Sequence, residues 1–324
     1  MTLEDVRTFF TQKTKYILST HETPDGDGLG AEYALCAALQ NLGHDALILN
    51  ADLPAKKFTF YDEKNLFITF DTDADFPSDL EERVLVVLDT EPGNIGSIGE
   101  TLRNTCQEIL VIDHHSPKNN AKYQGWLVPE SSSTCEMVFR IIEALNLPVS
   151  KDMARALYTG IVYDTGSFVY PKTQARTFRI AEALVASGAV PNEIFSQLFE
   201  SKSKGALLLQ SLVNSTMVLM EEGQVAVQIM PQDTLIASGA AFDESQEIVN
   251  FPLQCEQVRV SIFLKEDTKG IRRCSIRSKG EVDCSNVAQK FHGGGHKTAA
   301  GFKFTLPFEE MLEKVLEVMR VDLT

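Results

Sequence analysis

Apolar positions along the chain form two kinds of run. Residues 15–20 (KYILST), 46–50, 84–89 (VLVVLD) and 109–113 (ILVID) are nearly continuous apolar segments, the pattern of strands covered on both faces. Between and after them, apolar residues recur at helical spacing near 30–41, 98–106, 152–162 and 173–185. Another helix carries its own start signal. Ser133-Thr134-Cys135-Glu136 fits a capping box, in which the Ser hydroxyl accepts one free amide and Glu136 reaches back to another. Cys135, Val138, Phe139 and Ile142 then follow at helical spacing. A short amphipathic helix with Leu3, Val6, Phe9 and Phe10 leads into the first strand. Strand and helix in alternation predict an α/β fold with a doubly wound parallel sheet over residues 1–188.

Residues 189–221 turn helical and charged (FSQLFESKSKG), which predicts a helical connector with a long helix running to about residue 221. Beyond it, 224–229, 257–264 and 272–277 read as strands, and segments near 285–291 and 307–319 as helices. These predict a smaller α/β domain with a mixed sheet over residues 222–324. A length of 324 residues suits two domains. No apolar stretch reaches transmembrane length and the N-terminus lacks a signal-peptide core, so a cytoplasmic location without a membrane partner is the default expectation.

Charge and cysteine usage narrow the chemistry. None of the six cysteines forms a C-x-x-C pair, which leaves buried free thiols as their reading. The net charge of −15 repels a long polyanion such as duplex nucleic acid. A small phosphorylated substrate in a locally cationic pocket fits it better. Residues 71–75 (DTDAD) read as a solvated acidic loop.

Four polar clusters follow the apolar runs, and ligands bind at the C-terminal edge of open α/β sheets. His21, Asp25 and Asp27 follow the first strand on a turn that Gly26 and Gly28 allow to be tight. An imidazole and two carboxylates at this spacing can converge on hard cations, although a plain Pro-Asp-Gly turn has the same composition. An EF-hand loop fails, because Cys36 stands where a Glu is needed. Asp89 closes the run VLVVLD, and Asp113-His114-His115 closes ILVID. Asp164 ends the helical run ALYTGIVYD, against the helix dipole, a penalty that a bound cation would remove. In the C-terminal part, His292-Gly293-Gly294-Gly295-His296 is a Gly-rich loop whose amides could approach an anion, with Ala299, Ala300 and Gly301 implying tight packing. Arg277 and Ser278, at a strand end, offer a bidentate phosphate donor and a hydroxyl.

In this order, His-x-x-x-Asp-x-Asp, a strand-ending Asp, Asp-His-His and Asp-Thr-Gly resemble the DHH phosphoesterase superfamily. The Gly293–His296 loop with Ala299-Ala300-Gly301 is similar to that of its DHH-associated C-terminal domain, so the likeness covers nearly the whole chain. Within the superfamily, length and C-terminal motif most resemble the nanoRNase/pAp-phosphatase group. The resemblance implies two divalent cations. One would take His21, Asp25 and Asp89, the other Asp27, Asp89, His114 and Asp164, with Asp89 bridging. Asp113 would orient a histidine ligand and His115 would contact the substrate phosphate. Manganese is the family's usual metal, and the ligand types leave Mg, Fe and Co open. A hydroxide shared by the two metals would attack phosphorus in line. Arg277, Ser278, Gly293, Gly294, Gly295 and His296 would grip the far end of the substrate, with domain closure excluding water.

The implied activity is hydrolysis of phosphate esters in short oligoribonucleotides, in pAp, or in both. Linear or cyclic dinucleotides (pApA, cyclic di-AMP) are the alternative substrates. A pyrophosphatase or exopolyphosphatase, and a nucleotide-binding regulator without catalysis, are the rival classes. Relatives pair as homodimers, an expectation carried over with the likeness. The chain departs from the pattern at Asn94, where Arg is common, at His292, where Gly is common, and at Ala31, where Ser is frequent. None of these is a proposed ligand.

Overall fold

The computed structural model describes residues 1–116 and 123–323. The chain divides into two compact units, Met1–Ser201 and Lys202–Thr324.

In the first unit, helix α1 (Leu3–Gln12) precedes strand β1 (Lys15–Ser19), helix α2 (Gly26–Asn41) and strand β2 (Asp45–Asn50). Strands β3 (Phe67–Thr69) and β4 (Val84–Leu88), helix α3 (Gly99–Thr105), and strands β5 (Glu108–Asp113) and β6 (Gln124–Leu127) follow. Helices α4 (Thr134–Ala144), α5 (Lys151–Asp164), α6 (Ala175–Ala186) and α7 (Pro191–Phe199) complete it. The strands lie in the order β3-β2-β1-β4-β5-β6, all parallel. Alternate strand residues serve opposite faces. Tyr16, Leu18, Val86, Leu88 and Ile112 pack under α2 and α4, while Ile17, Leu85, Val87 and Val111 pack against Ile98 and Leu102 on the α3 side. That double burial explains why the runs show no polar alternation. The direction of winding reverses between β1 and β4, so their C-terminal ends open a crevice at the switch point.

Helix α2 starts at Gly26, about four residues before the sequence pattern predicts. Asp25 is its N-cap and accepts the amides of Asp27 (3.0 Å) and Gly28 (3.3 Å). The glycines that weaken the helical signal serve close packing instead. A Cβ on Gly28 would run into Thr20, and one on Gly30 into the Ala156 carbonyl and to within 2.9 Å of Cys135 Sγ. Gly30→Ala should therefore cost about 2–3 kcal/mol, because backbone cannot yield as a side chain can. Urea unfolding measures this, and a change of under about 0.5 kcal/mol would mean that α5 can retreat.

The expected long connector helix is instead two helices. α7 ends where Glu200 leaves helical geometry (φ −113°), and α8 (Lys204–Ser215) begins afresh, with Ser203 accepting the Ala206 amide. The apolar run after it forms strand β7 (Val218–Met220) rather than helix, because it pairs with β8 (Val225–Met230). The second unit continues with α9 (Gln232–Ser238), β9 (Val260–Glu266), β10 (Arg272–Ser278), α10 (Cys284–Gln289), β11 (Gly294–His296), β12 (Ala299–Phe304) and α11 (Phe308–Leu323). Its sheet, ordered β11-β12-β10-β9-β8-β7, is mixed: β8 and β9 are parallel and the other pairs antiparallel. Val227, Ile262, Leu264, Ile276 and Phe302 meet Met311, Val315 and Met319 of α11 in its core. Cys36, Cys135, Cys274 and Cys284 are buried free thiols as expected, Cys106 is half-buried, and Cys255 is exposed. Among the described residues no helix is long and apolar enough to cross a membrane.

Candidate metal centre

Five elements deliver acidic or imidazole side chains to the β1/β4 crevice. His21 lies just beyond β1, and Asp25 and Asp27 sit at the start of α2. Asp89 follows β4, Asp113, His114 and His115 close β5, and Asp164 ends α5. Asp89 holds φ +61°, a left-handed conformation uncommon for residues other than glycine that turns its carboxylate into the crevice. The N-terminus of α4 supports this floor. Thr134 and Cys135 donate their free first-turn amides to Asp27 (2.6 and 2.8 Å), and the Thr134 hydroxyl donates to Asp89 (3.0 Å).

His21 Nε2 lies 3.7 Å from Asp25 and 3.9 Å from Asp89. His114 Nε2 lies 3.8 Å from Asp27, 3.5 Å from Asp89 and 3.5 Å from Asp164. Ligands at about 2.1 Å from one cation stand about 3–4 Å apart, so both groups have the spacing of a coordination sphere. Asp89 joins His21 and Asp25 through one oxygen and approaches His114 and His115 with the other, while Asp27, His114 and Asp164 form a group of their own.

The environment of His114 tests whether a metal fits. Its Nδ1 faces the Ser131 carbonyl at 3.3 Å, which assigns the ring proton there. Nε2 is then a bare lone pair, buried without a hydrogen-bond partner and aimed at three carboxylates. Such an arrangement is repulsive unless a cation stands between or a facing carboxyl holds a proton, and the donor set of imidazole and carboxylates suits a divalent metal. Glu22's carbonyl lies 2.7 Å from His21 Nδ1 in the same manner, directing Nε2 to Asp25 and Asp89.

Protonation follows from burial and crowding. Burial, reinforced by Asp27, Asp25, Asp164 and Asp113, pushes Asp89 well above the usual carboxylate range. Burial with Asp27 and Asp25 pushes Asp164 up to about 8. Burial opposes a charge on His21, but the Asp25 carboxylate outweighs it and lifts the ring to about 9. Burial holds His114 below its ordinary value against the pull of Asp27. Beneath the crevice, Asn50 accepts the Thr20 amide (3.2 Å) and donates to the buried Glu32 (2.8 Å), whose burial pushes it up to about 8.

Two roles differ from expectation. Asp113 accepts hydrogen bonds from His115 Nδ1 (2.7 Å) and the His115 amide (3.0 Å), so it orients His115, while Ser131 turns the ligand-like His114. The Asp113 hydrogen bond holds His115 above its ordinary value. The capping box is half present. Ser133 accepts the Glu136 amide (3.0 Å), but the buried Glu136 carboxylate goes to Ser131, Ser132, Arg176 and Thr177. Sequence reasoning missed Thr134 and Ser131; the capping signal at Ser133 was the available pointer to that helix start.

In the second unit, Arg277 is half-buried, donates to the Ile276 carbonyl and has no carboxylate partner among the described residues. Ser278 is buried, and its hydroxyl donates to the Val282 carbonyl at 2.7 Å. The Gly-rich loop is in part an edge strand: Gly294, Gly295 and His296 are exposed and pair with β12, while Gly293 is half-buried against Phe302. His292, where Gly is common in the group it resembles, keeps the left-handed backbone (φ +59°) that a glycine would adopt without strain.

Residues 15–161 match the DHH family, N-terminal domain, and residues 222–321 the DHHA1 domain. The chain is 30% identical over 314 residues to the bifunctional oligoribonuclease and PAP phosphatase NrnA of Thermus thermophilus, covering 95% of this chain and 90% of that one. To the Bacillus subtilis protein of the same name it is 28% identical over 304 residues, covering 93% and 92%. The crystal structure of an exopolyphosphatase-related protein from Bacteroides fragilis matches with a TM-score of 0.90 at 25% identity, over 99% of this chain and 97% of that one.

Proposed function

The chain belongs to the DHH family, with a DHHA1 domain in its C-terminal part, and on that premise we propose that it hydrolyses short oligoribonucleotides and pAp. The observation that carries this reading is the sharing of Asp89 between two ligand groups, one of them built round the bare Nε2 of His114. His21, Asp25 and Asp89 would hold one divalent cation, and Asp27, Asp89, His114 and Asp164 a second. Two such ions, manganese in this proposal, would neutralise the carboxylates and supply a nucleophile at neutral pH.

The chain's own residues do the rest. Asp113 fixes the His115 ring through Nδ1, which leaves Nε2–H as a charged donor toward a phosphate oxygen. Thr134 and the α4 amides keep Asp89 and Asp27 in place, so no reorganisation is needed as charge develops. Arg277 is the substrate's phosphate anchor in the second unit, assisted by the amides around Gly293, Gly294, Gly295 and His296. A net charge of −15 keeps long duplexes away, and a cytoplasmic setting belongs to the same proposal.

With manganese, incubation with two- to five-nucleotide RNAs, pAp, pApA, cyclic di-AMP and pyrophosphate should give mononucleotides from the RNAs and AMP from pAp. Orthophosphate from pyrophosphate alone would overturn the reading, as would binding of dinucleotides without cleavage. Arg277→Ala should raise KM about tenfold or more and leave kcat nearly intact, the loss of a charge-assisted hydrogen bond made equally in ground and transition states. Unchanged KM would remove Arg277 from the substrate site.

A further inference from the structure

The segment between Asp164 and α6 has a shape that metal binding does not require. Gly166, Ser167 and Phe168 are successively left-handed, at φ +55°, +61° and +68°. For Ser and Phe this conformation costs about 1–2 kcal/mol each, so the surrounding contacts must enforce it. Thr165 does so. Its hydroxyl accepts the Phe168 amide (2.9 Å) and its carbonyl accepts the amides of Val169 and Tyr170 (both 2.9 Å). The turn leaves Tyr170 56% exposed, its ring lying over Gly166, two residues from Asp164; a Cβ on Gly166 would come within 2.5–2.8 Å of the ring carbons. It also brings Lys172 back, with Nζ donating to the His114 carbonyl at 3.2 Å.

Charge balance gives Lys172 a purpose. With cations bound, the four carboxylates of Asp25, Asp27, Asp89 and Asp164 would bring four negative charges, which two divalent cations would cancel. His115 and Asp113 form a pair of their own at 2.7 Å. A bound phosphate then brings charge that neither group matches. The Lys172 ammonium reaches the rings of His114 and His115 and the Asp164 carboxylate electrostatically, and among the described residues no carboxylate pairs with it. A lysine serving only as counter-ion to the bare carboxylates would lose that role once cations fill the centre.

We propose that Lys172 and Tyr170 form a nucleotide subsite, in which the ammonium takes an outer oxygen of the phosphate being cleaved and the Tyr170 ring stacks on the attached base. The subsite deepens the reading of the protein as a nucleotide phosphohydrolase and rests on it. An exposed, pinned ring accepts any base, because every base has a π-face, and so suits a substrate class of short RNAs of varied sequence.

Binding and hydrolysis together test the subsite. Calorimetry with calcium in place of manganese gives Kd for pAp and for the same bisphosphate without its base, and hydrolysis with manganese runs beside it. Wild type should prefer pAp by about tenfold, the scale of one base–aromatic stack. Tyr170→Ala should bring the two ligands close to equal affinity. Lys172→Met should weaken both about tenfold and Lys172→Arg should restore most of the loss, as expected for a charge-assisted hydrogen bond. Wild-type affinities in Tyr170→Ala and Lys172→Met would overturn the subsite, even in a protein that cleaves pAp. Weakened binding in both variants, with no hydrolysis of any nucleotide by wild type, would keep the subsite and refute the proposed activity.

Discussion

Asp89→Asn is expected to abolish turnover while making the metal-free protein more stable. The carboxylate it replaces is buried, crowded by Asp25, Asp27, Asp113 and Asp164, and pushed well above its ordinary pKa by burial. An amide of the same shape keeps the acceptor for the Thr134 hydroxyl and tolerates φ +61° better than most residues. Relief of that buried acid should add about 1–3 kcal/mol to stability. Catalysis should suffer in proportion to what a bridging carboxylate supplies. Losing several kcal/mol of charge stabilisation, at 1.36 kcal/mol per tenfold, predicts a fall in kcat of about a thousandfold or more. Asp89→Ala should be equally inactive, but it strains the left-handed backbone and empties the floor of the crevice, so its stability says less. Manganese-dependent turnover within tenfold of wild type in Asp89→Asn would disprove the bridging role.

Thermal stability of the metal-free protein should fall as pH rises, and the stabilisation by metal should grow over the same range. In the folded metal-free protein, burial lifts Asp164 and Glu32 to about 8, and Asp25 lifts His21 to about 9 against its own burial. The unfolded chain titrates carboxylates near about 4 and His near about 6.5. The folded state therefore holds more protons across this interval, and its stability falls as pH rises. The contribution of the two acids is complete below the ordinary carboxylate range and lost as pH climbs through about 8; that of His21 is complete below the unfolded value and lost toward about 9. Asp25 and Asp113, held low by His21 and His115 against their burial, act in the opposite sense, but only at acid pH. One such group gives about 1.4 kcal/mol per pH unit, or about 3–5 °C in Tm for a unit of this size. The metal-free Tm should thus drop by about 5 °C or more between pH 6.5 and 8.5, with several groups contributing. Manganese competes with these protons, so the Tm increment it produces should grow over the same range. A metal-free Tm that stays level or rises between pH 6.5 and 8.5 would show that the acids are not crowded as described.

The strand runs ending in Asp89 and Asp113 were legible because double burial leaves an uninterrupted apolar signature, and because the sheet edge where such runs stop is where ligands sit. The start of α2 was not, since Gly26, Gly28 and Gly30 erase the local helical signal for the sake of close contacts with α5, far away in sequence, and with Thr20. For the same reason the supports from Thr134, Ser131 and Lys172 were invisible: each acts across 17 to 107 residues of chain. The hydrogen bond from the Ser278 hydroxyl to the Val282 carbonyl was not legible either, because nothing at a strand end announces it. Residues 294–296 passed for a loop because the run of glycines at 293–295 carries no alternation, although residues 294–296 pair with β12.

Diffraction from crystals grown with manganese, recorded at its absorption edge, tests the central arrangement most directly. Two anomalous peaks are predicted beside Asp89, about 3.5–4 Å apart, one against His21 and Asp25 and the other against Asp27, His114 and Asp164. A single peak, or manganese bound only elsewhere on the molecule, would contradict a binuclear centre in this crevice.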